Sequence, residues 1–394
     1  MPMTSEREKQ KQVPPVGRND KQKQEKQVPP FGRNDKETDG RDDKENVGRD
    51  DKGTLPRDNG TFQLNKLSHA SDRSHLWARS CATAGAAVWA GIAVLARLGI
   101  ARMGAIELLF LFAPLVIVPL GLELGRGMGA CGWLDEIGRR LQPFGAGLAV
   151  VALLLPPGRT AGAFATGWGL VCFFLAGAGM LHLISAAWGD AGRGVRATLV
   201  DFAMDFARID VAVGGVWLVA SRLGMRPMGI QEPIGLLTAV HFHFAGFATA
   251  TIAAATLRFA RLHGLDRGLK LLVPFVVGMP FVVAAGFVIS PVLKMVAAGA
   301  FSVSVAGLAV FLRACGRHAG NRTARVLLQT SAVAVFVAMI FAGIYVVADF
   351  AGSDALTIPQ MARTHGILNA VGFCLPGLLG WLVEGSGQRS AISD

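Results

Sequence analysis

From Ala78 onward the chain is a succession of apolar runs, each about as long as the roughly 20 residues a helix needs to cross a bilayer at 1.5 Å rise per residue. Ten runs can be marked, at about 79–98, 104–124, 142–158, 163–188, 206–222, 233–257, 269–289, 292–313, 325–349 and 362–383, of which the third and fifth are the least apolar. The predicted fold is all-α: a polytopic transmembrane bundle of about ten helices over residues 75–385, followed by a short C-terminal tail at 386–394. Hydrophobic residues make up 52% of the 394 and charged residues 17%, whereas soluble domains average about 45–50% and 25%. That balance excludes an ordinary soluble domain and makes a lipid bilayer the first partner.

The charges are unevenly spread. About two fifths of them fall in the first seventy residues, where "VPPVGRNDK" from Val13 returns as "VPPFGRNDK" from Val28 and "GRDDKEN" from Gly40 returns as "GRDDKGT" from Gly48. With almost nothing apolar to bury, residues 1–74 are expected to form a disordered, repeat-bearing tail, because burial cannot offset the entropy of ordering them. It reads either as a cytoplasmic tether or lipid-surface arm, or as an unselected low-complexity extension. It lacks the early apolar stretch of a secretory signal peptide.

The formal net charge of +11 does not indicate a nucleic-acid partner, since the basic residues of the apolar part lie in short connections rather than on one face. They test the helix count instead. With the tail inside and ten crossings, loops on the inner side carry Arg139, Arg140, Arg258, Arg261, Arg267 and Arg317 among others, while the outer side carries only Arg97, Arg102, Arg159, Arg222, Arg226 and Lys294. This bias of about two to one follows the positive-inside rule and predicts both termini in the cytoplasm of a bacterial inner membrane. Cys81, Cys131, Cys172, Cys315 and Cys374 lack CxxC spacing, so they read as small packing residues, not as a disulfide framework or zinc site. The abundant Gly and Ala allow close helix approach in lipid. Pro114, Pro119, Pro274, Pro280 and Pro376 predict kinks.

Ionisable groups inside such segments are functional candidates, because lipid penalises them. Glu107, His241, His243, Asp349, Arg363, His365 and Asn369 fall toward the outer half, and His182, Asp205, Arg208 and Asp210 toward the inner half. Arg208 with Asp205 and Asp210 reads as a local ion pair at the inner surface, Glu107 and Asp349 as interfacial carboxylates, Lys294 as a snorkelling end and His182 as structural. Residues two apart on a helix point about 200° apart, so His241 and His243 cannot hold one ion from an unbroken helix. His365 and Asn369, four apart, share a face. Taken singly, each histidine is a core imidazole bonded to a carbonyl or hydroxyl; taken with His365, the pair suggests a shared polar site.

Two stretches, "TAVHFHFAGF" from Thr238 and "MARTHGILNAVGF" from Met361, resemble the motifs of the YndJ-like family of bacterial integral membrane proteins. The resemblance covers about residues 80–385 and makes His241, His243, Gly246, Phe247, Thr364, His365, Gly366, Asn369, Gly372 and Phe373 the motif positions. It implies a multi-helix membrane core and a transporter-like role.

The expectation for function is therefore a transporter in which His241, His243, His365, Asn369, Glu107 and Asp349 bind a small solute or relay protons, histidine being suited to this because it titrates near ambient pH. Two alternatives stay open. In one, His241 or His243 joins His365 in ligating haem or copper; in the other, the protein is a non-catalytic assembly component. No P-loop, GxSxG elbow, HExxH or Rossmann fingerprint stands in useful context, so neither ATP-driven pumping nor soluble enzyme chemistry is expected, and the base expectation is no cofactor.

Overall fold

The computed structural model describes residues 59–126, 128, 132–188, 198–353 and 356–393. Among them the chain forms ten continuous helices: α1 (Asn59–Arg97), α2 (Ala105–Arg126), α3 (Trp133–Leu154), α4 (Arg159–Trp188), α5 (Leu199–Leu223), α6 (Ile234–Leu262), α7 (Leu269–Ile289), α8 (Pro291–His318), α9 (Arg322–Phe350) and α10 (Ile358–Ser386). No strand occurs among the described residues. Eight of the ten are long and apolar enough to cross a membrane; the other two, α3 and α5, are the third and fifth of the sequence runs. Both are made less apolar by charges in the helix, Asp135, Glu136, Arg139 and Arg140 in α3 and Asp201, Asp205, Arg208 and Asp210 in α5.

Helix ends follow local chemistry. Thr198 caps α5 with its hydroxyl on the Asp201 amide at 3.3 Å while the Asp201 carboxylate accepts from the Thr198 amide at 2.8 Å, and Gly224 closes the same helix in the left-handed region at φ 71°. Asn321 caps α9 by accepting from the amides of Thr323 and Ala324. The backbone of α1 is already helical from Asn59, upstream of the first apolar run, and the backbone of the last helix continues to Ser393. The disorder expected of residues 1–58 lies outside the described residues.

Consecutive helices run antiparallel and approach through glycine. A Cβ on Gly179 would lie 2.7 Å from the Asp205 carbonyl of α5, one on Gly215 3.0 Å from Cys172 of α4, and one on Gly286 2.5 Å from Lys294 of α8. This is the small-residue packing that lipid favours, where close dispersion contact replaces the hydrophobic effect. Burial is not shared equally. The spans of α2 and α6 are 78% buried and that of α10 44%, against 22–33% for the remaining spans. Among these spans α2 and α6 are thus the most buried and α10 the next, and α5, more than half of whose residues are buried, shares the core with them.

Helices α2, α6 and α10 are also the ones that carry π-helical turns: Ala113–Ile117 in α2, Phe242–Ala248 in α6, and Ala362–Gly366 and Leu368–Cys374 in α10. The turns pack on one another. A π turn loosens the regular i→i−4 ladder and releases carbonyls, which is tolerable at membrane depth only where the protein supplies donors. It does so here. Gln142 of α3 donates to the Pro114 carbonyl at 2.6 Å, Ser331 of α9 to the Phe373 carbonyl at 2.8 Å, and Thr249 and Thr251 to the carbonyls of Phe244 and Phe247 at 2.8 and 2.7 Å. In α2 the cause is local, since Pro114 has no N–H to donate. The four described cysteines, Cys81, Cys172, Cys315 and Cys374, are free thiols, three of them buried.

Candidate functional site

The even-numbered helices begin at the end of the bundle poor in arginine, and His241 and His365 each lie seven residues after the first residue of their helix, Ile234 and Ile358. At 1.5 Å per residue both sit about 10 Å below that end. Their imidazoles are close enough for the charge of one to act on the other. Two helices more than a hundred residues apart in the chain therefore bring their histidines to one level.

His241 donates from Nδ1 to its own-helix Leu237 carbonyl at 2.8 Å. That bond fixes the tautomer and leaves Nε2 as an acceptor with no hydrogen-bond partner among the described residues, on an exposed residue of an otherwise well-buried helix. His365 donates from Nδ1 across to the Ala338 carbonyl of α9 at 2.9 Å. The Asn369 amide nitrogen lies over the face of the ring, 3.0 Å from Nε2 and 3.3 Å from Nδ1, and donates to the His365 carbonyl at 3.0 Å. Asn369 thus covers the ring, and its Oδ1 makes no hydrogen bond among the described residues. The arrangement leaves two acceptors, His241 Nε2 and Asn369 Oδ1, without hydrogen-bond partners among the described residues.

His243 goes elsewhere. It is wholly buried; Nδ1 donates to the Ala239 carbonyl at 2.7 Å and Nε2 accepts from the Trp168 indole N–H of α4 at 3.0 Å. Phe110 of α2 meets its ring edge-on at 5.0 Å, and Gly214 of α5 makes room for it: a Cβ there would overlap the imidazole. The ring ties four helices together with both nitrogens used.

The two carboxylates expected at this level have other partners. Glu107 accepts from the Gly104 amide at 3.0 Å at the start of α2 and, with Glu232, lies in the field of Arg222. Asp349 is held by Lys294 of α8 at 2.6 Å, with the ammonium 5.0 Å over the Phe287 ring. Among the described residues no contact brings either one to the histidines, and Lys294 is an ion-pair partner rather than a free snorkelling end.

The remaining motif positions have packing roles. Thr364 bonds the Gln360 carbonyl at 2.8 Å. Gly366 receives Leu109 of α2 and Gly372 receives Ala334 of α9, with built Cβ contacts of 2.7 and 2.8 Å. Phe373 and Phe247 are fully buried, the latter against Gly121. Gly246 lies on Asp210 of α5, to whose carboxyl a Cβ would come within 2.7 Å.

At the arginine-rich end, sequence reasoning joined Arg208 to Asp205 and Asp210 at the surface. The structure corrects this, because α5 begins at Leu199 and carries all three inside the bundle. Arg208 is buried between Asp205 of its own helix at 3.0 Å and Asp135 of α3 at 2.9 Å, and Asp205 also bonds His182 of α4. Beside this network a cavity of about 200 Å³ is lined by Arg126, Asp135, Glu136, Arg139, Arg208, Met204 and Phe247. Glu136, ahead of the apolar run of α3, is pushed up by partial burial, but bonds from Arg139 and Arg140 outweigh this and hold its carboxyl below the usual carboxylate range.

Asp210 is the residue that sequence reasoning misplaced. It stands at the middle of α5, 0% exposed, with neither oxygen hydrogen-bonded. A helix start drawn at the first strongly apolar residue hid it; the Thr198–Asp201 capping pair, read as a start signal, was the available clue. Among the described residues no three His, Cys, Asp or Glu side chains gather as a metal site.

Comparison with known proteins gives a consistent placement. The family model described as YndJ-like protein matches residues 108–373. The uncharacterized membrane protein YndJ of Bacillus subtilis (strain 168) is 30% identical over 246 residues, which cover 61% of this chain and 41% of that protein, so the match spans about two fifths of the relative's length. No solved structure matches.

Proposed function

The chain belongs to the YndJ-like family, and we propose that it works as a transporter-like bundle in a bacterial inner membrane, with both termini cytoplasmic and its solute or proton site formed by His241, His365 and Asn369 in the outer half. The observation that carries this reading is His241: an exposed residue on a well-buried helix whose Nε2 has no hydrogen-bond partner among the described residues, in the field of a second imidazole. A group placed only for stability would have both nitrogens engaged, as His243 has. The arginine bias of the loops supports the orientation. His243 and the motif glycines serve this site by holding α2, α4, α5 and α6 in register.

The test is flux in proteoliposomes carrying the full chain, with proton movement read by an entrapped pH-sensitive dye under an imposed potential. H241A and H365A are expected to lower it at least tenfold, with H241A melting near the wild-type temperature and H365A below it for want of its bond to the Ala338 carbonyl of α9. Flux unchanged in both variants removes the site.

A further inference from the structure

We propose that Asp210 is a proton-binding site at the middle of the membrane, loaded and emptied through the cavity at the arginine-rich end. This names the coupling ion for the transport proposed above, and rests on that reading for the use made of the proton.

Asp210 is fully buried, and neither of its oxygens has a hydrogen-bond partner. It is central in a 25-residue helix, which puts it about 17 Å from one end of α5 and about 20 Å from the other. An ionised carboxylate in such a place carries the full cost of desolvation, so its charge must be cancelled by a proton or a cation. A bare metal cation needs several oxygens around it, and no cluster of three acidic, histidine or cysteine side chains exists among the described residues. A proton needs one lone pair.

The surroundings are free of competing charge. The helices packed against α5 are chiefly α4, α6 and α7, with α3 reaching it through Asp135 at Arg208 and α2 through Gly125 at Met204. From α4, His182 is turned to Asp205; from α6, His243 is closed by Trp168 and Ala239; α7 carries Lys270, which pairs with Asp266 beyond the helix start. On α5 itself Arg208 is turned to Asp205 and Asp135, and no charged group acts on Asp210.

The route is given by the π turn Phe242–Ala248 of α6. Gly246 of that turn touches the Asp210 carboxyl, and the next residue, Phe247, borders the charged cavity of about 200 Å³, which has room for several waters. Two further cavity residues, Met204 and Arg208, lie within two turns of Asp210 on α5. A π turn is the kind of helix segment that can rewind locally. Displacing Phe247 would join the carboxyl to the cavity. Proton uptake then forms one O–H bond on the carboxylate and cancels its charge, and release returns that proton to water in the cavity; no electron moves.

The experiment is infrared spectroscopy of the full-length protein in hydrated liposomes without solute or gradient. The wild-type minus D210N difference should show one carboxylic C=O band that shifts down in D2O and gives way to carboxylate bands as pH is raised, and in F247A the exchange into D2O should be at least tenfold faster. An absent acid band, meaning a permanently ionised carboxylate, overturns the proposal. So does a band untouched by D2O and by pH, meaning a sealed acid. If D210N does not fold, D210E moves the band instead of removing it and makes the same assignment. Since nothing is transported in this measurement, its failure removes the proton site alone, whereas normal spectra beside unchanged flux in H241A and H365A remove the transport reading alone.

Discussion

At the scale of single residues, two histidines separated by one phenylalanine have opposite situations, and the difference is measurable as stability. His243 uses both nitrogens in a dry core, so H243A should leave the Trp168 N–H and the Ala239 carbonyl short of partners and open a cavity among aromatic rings. A loss of about 2–4 kcal/mol is expected, seen as a markedly lower melting temperature in detergent. H241A removes only a bond to its own helix at an accessible position and should melt within a degree or two of wild type. G246A should fall with H243A, because its methyl would press on the Asp210 carboxyl. The sequence made the helical angle between the two rings legible, and with it that they face different neighbours. It did not make legible which ring is structural, because that depends on Trp168, 75 residues away.

At the scale of elements, the ten helices were readable from run length and loop charge because lipid allows few alternatives. Their starts were less so: α3 and α5 begin with charged turns that a hydropathy reading assigns to loops, and this is what moved Asp210 from the surface to the centre of its helix. The π turns were unreadable beyond the proline at Pro114, since those of α6 and α10 are sustained by donors on other elements or one turn away. Their upkeep predicts a specific cost. Q142L and S331A each strand one carbonyl, of Pro114 and of Phe373, and should each lower stability by about 1–2 kcal/mol. The pair should act additively, since the two bonds share no partner. Thermal unfolding of the two single variants and the double variant checks both statements.

At the scale of the whole molecule, the account rests on α2, α6 and α10 meeting in the buried core, so that distant parts of the chain share one level. No run of residues in the sequence announces that pairing, and the motif glycines Gly246, Gly366 and Gly372 make sense only once it is seen, each admitting a side chain of another helix. The orientation proposed from loop charge predicts that single cysteines in the loop at 263–268 react with an impermeant thiol reagent only in inverted vesicles, and those at 224–233 only in intact cells or spheroplasts. The most direct test of the central claim is cross-linking in native membranes, using a variant with the five natural cysteines replaced and cysteines placed at pairs of histidine positions. With a short bis-thiosulfonate reagent, H241C/H365C is expected to join α6 to α10 efficiently and H243C/H365C to stay unlinked. An unlinked first pair, or equal linking of both, would contradict the meeting of these helices on which the proposed site depends.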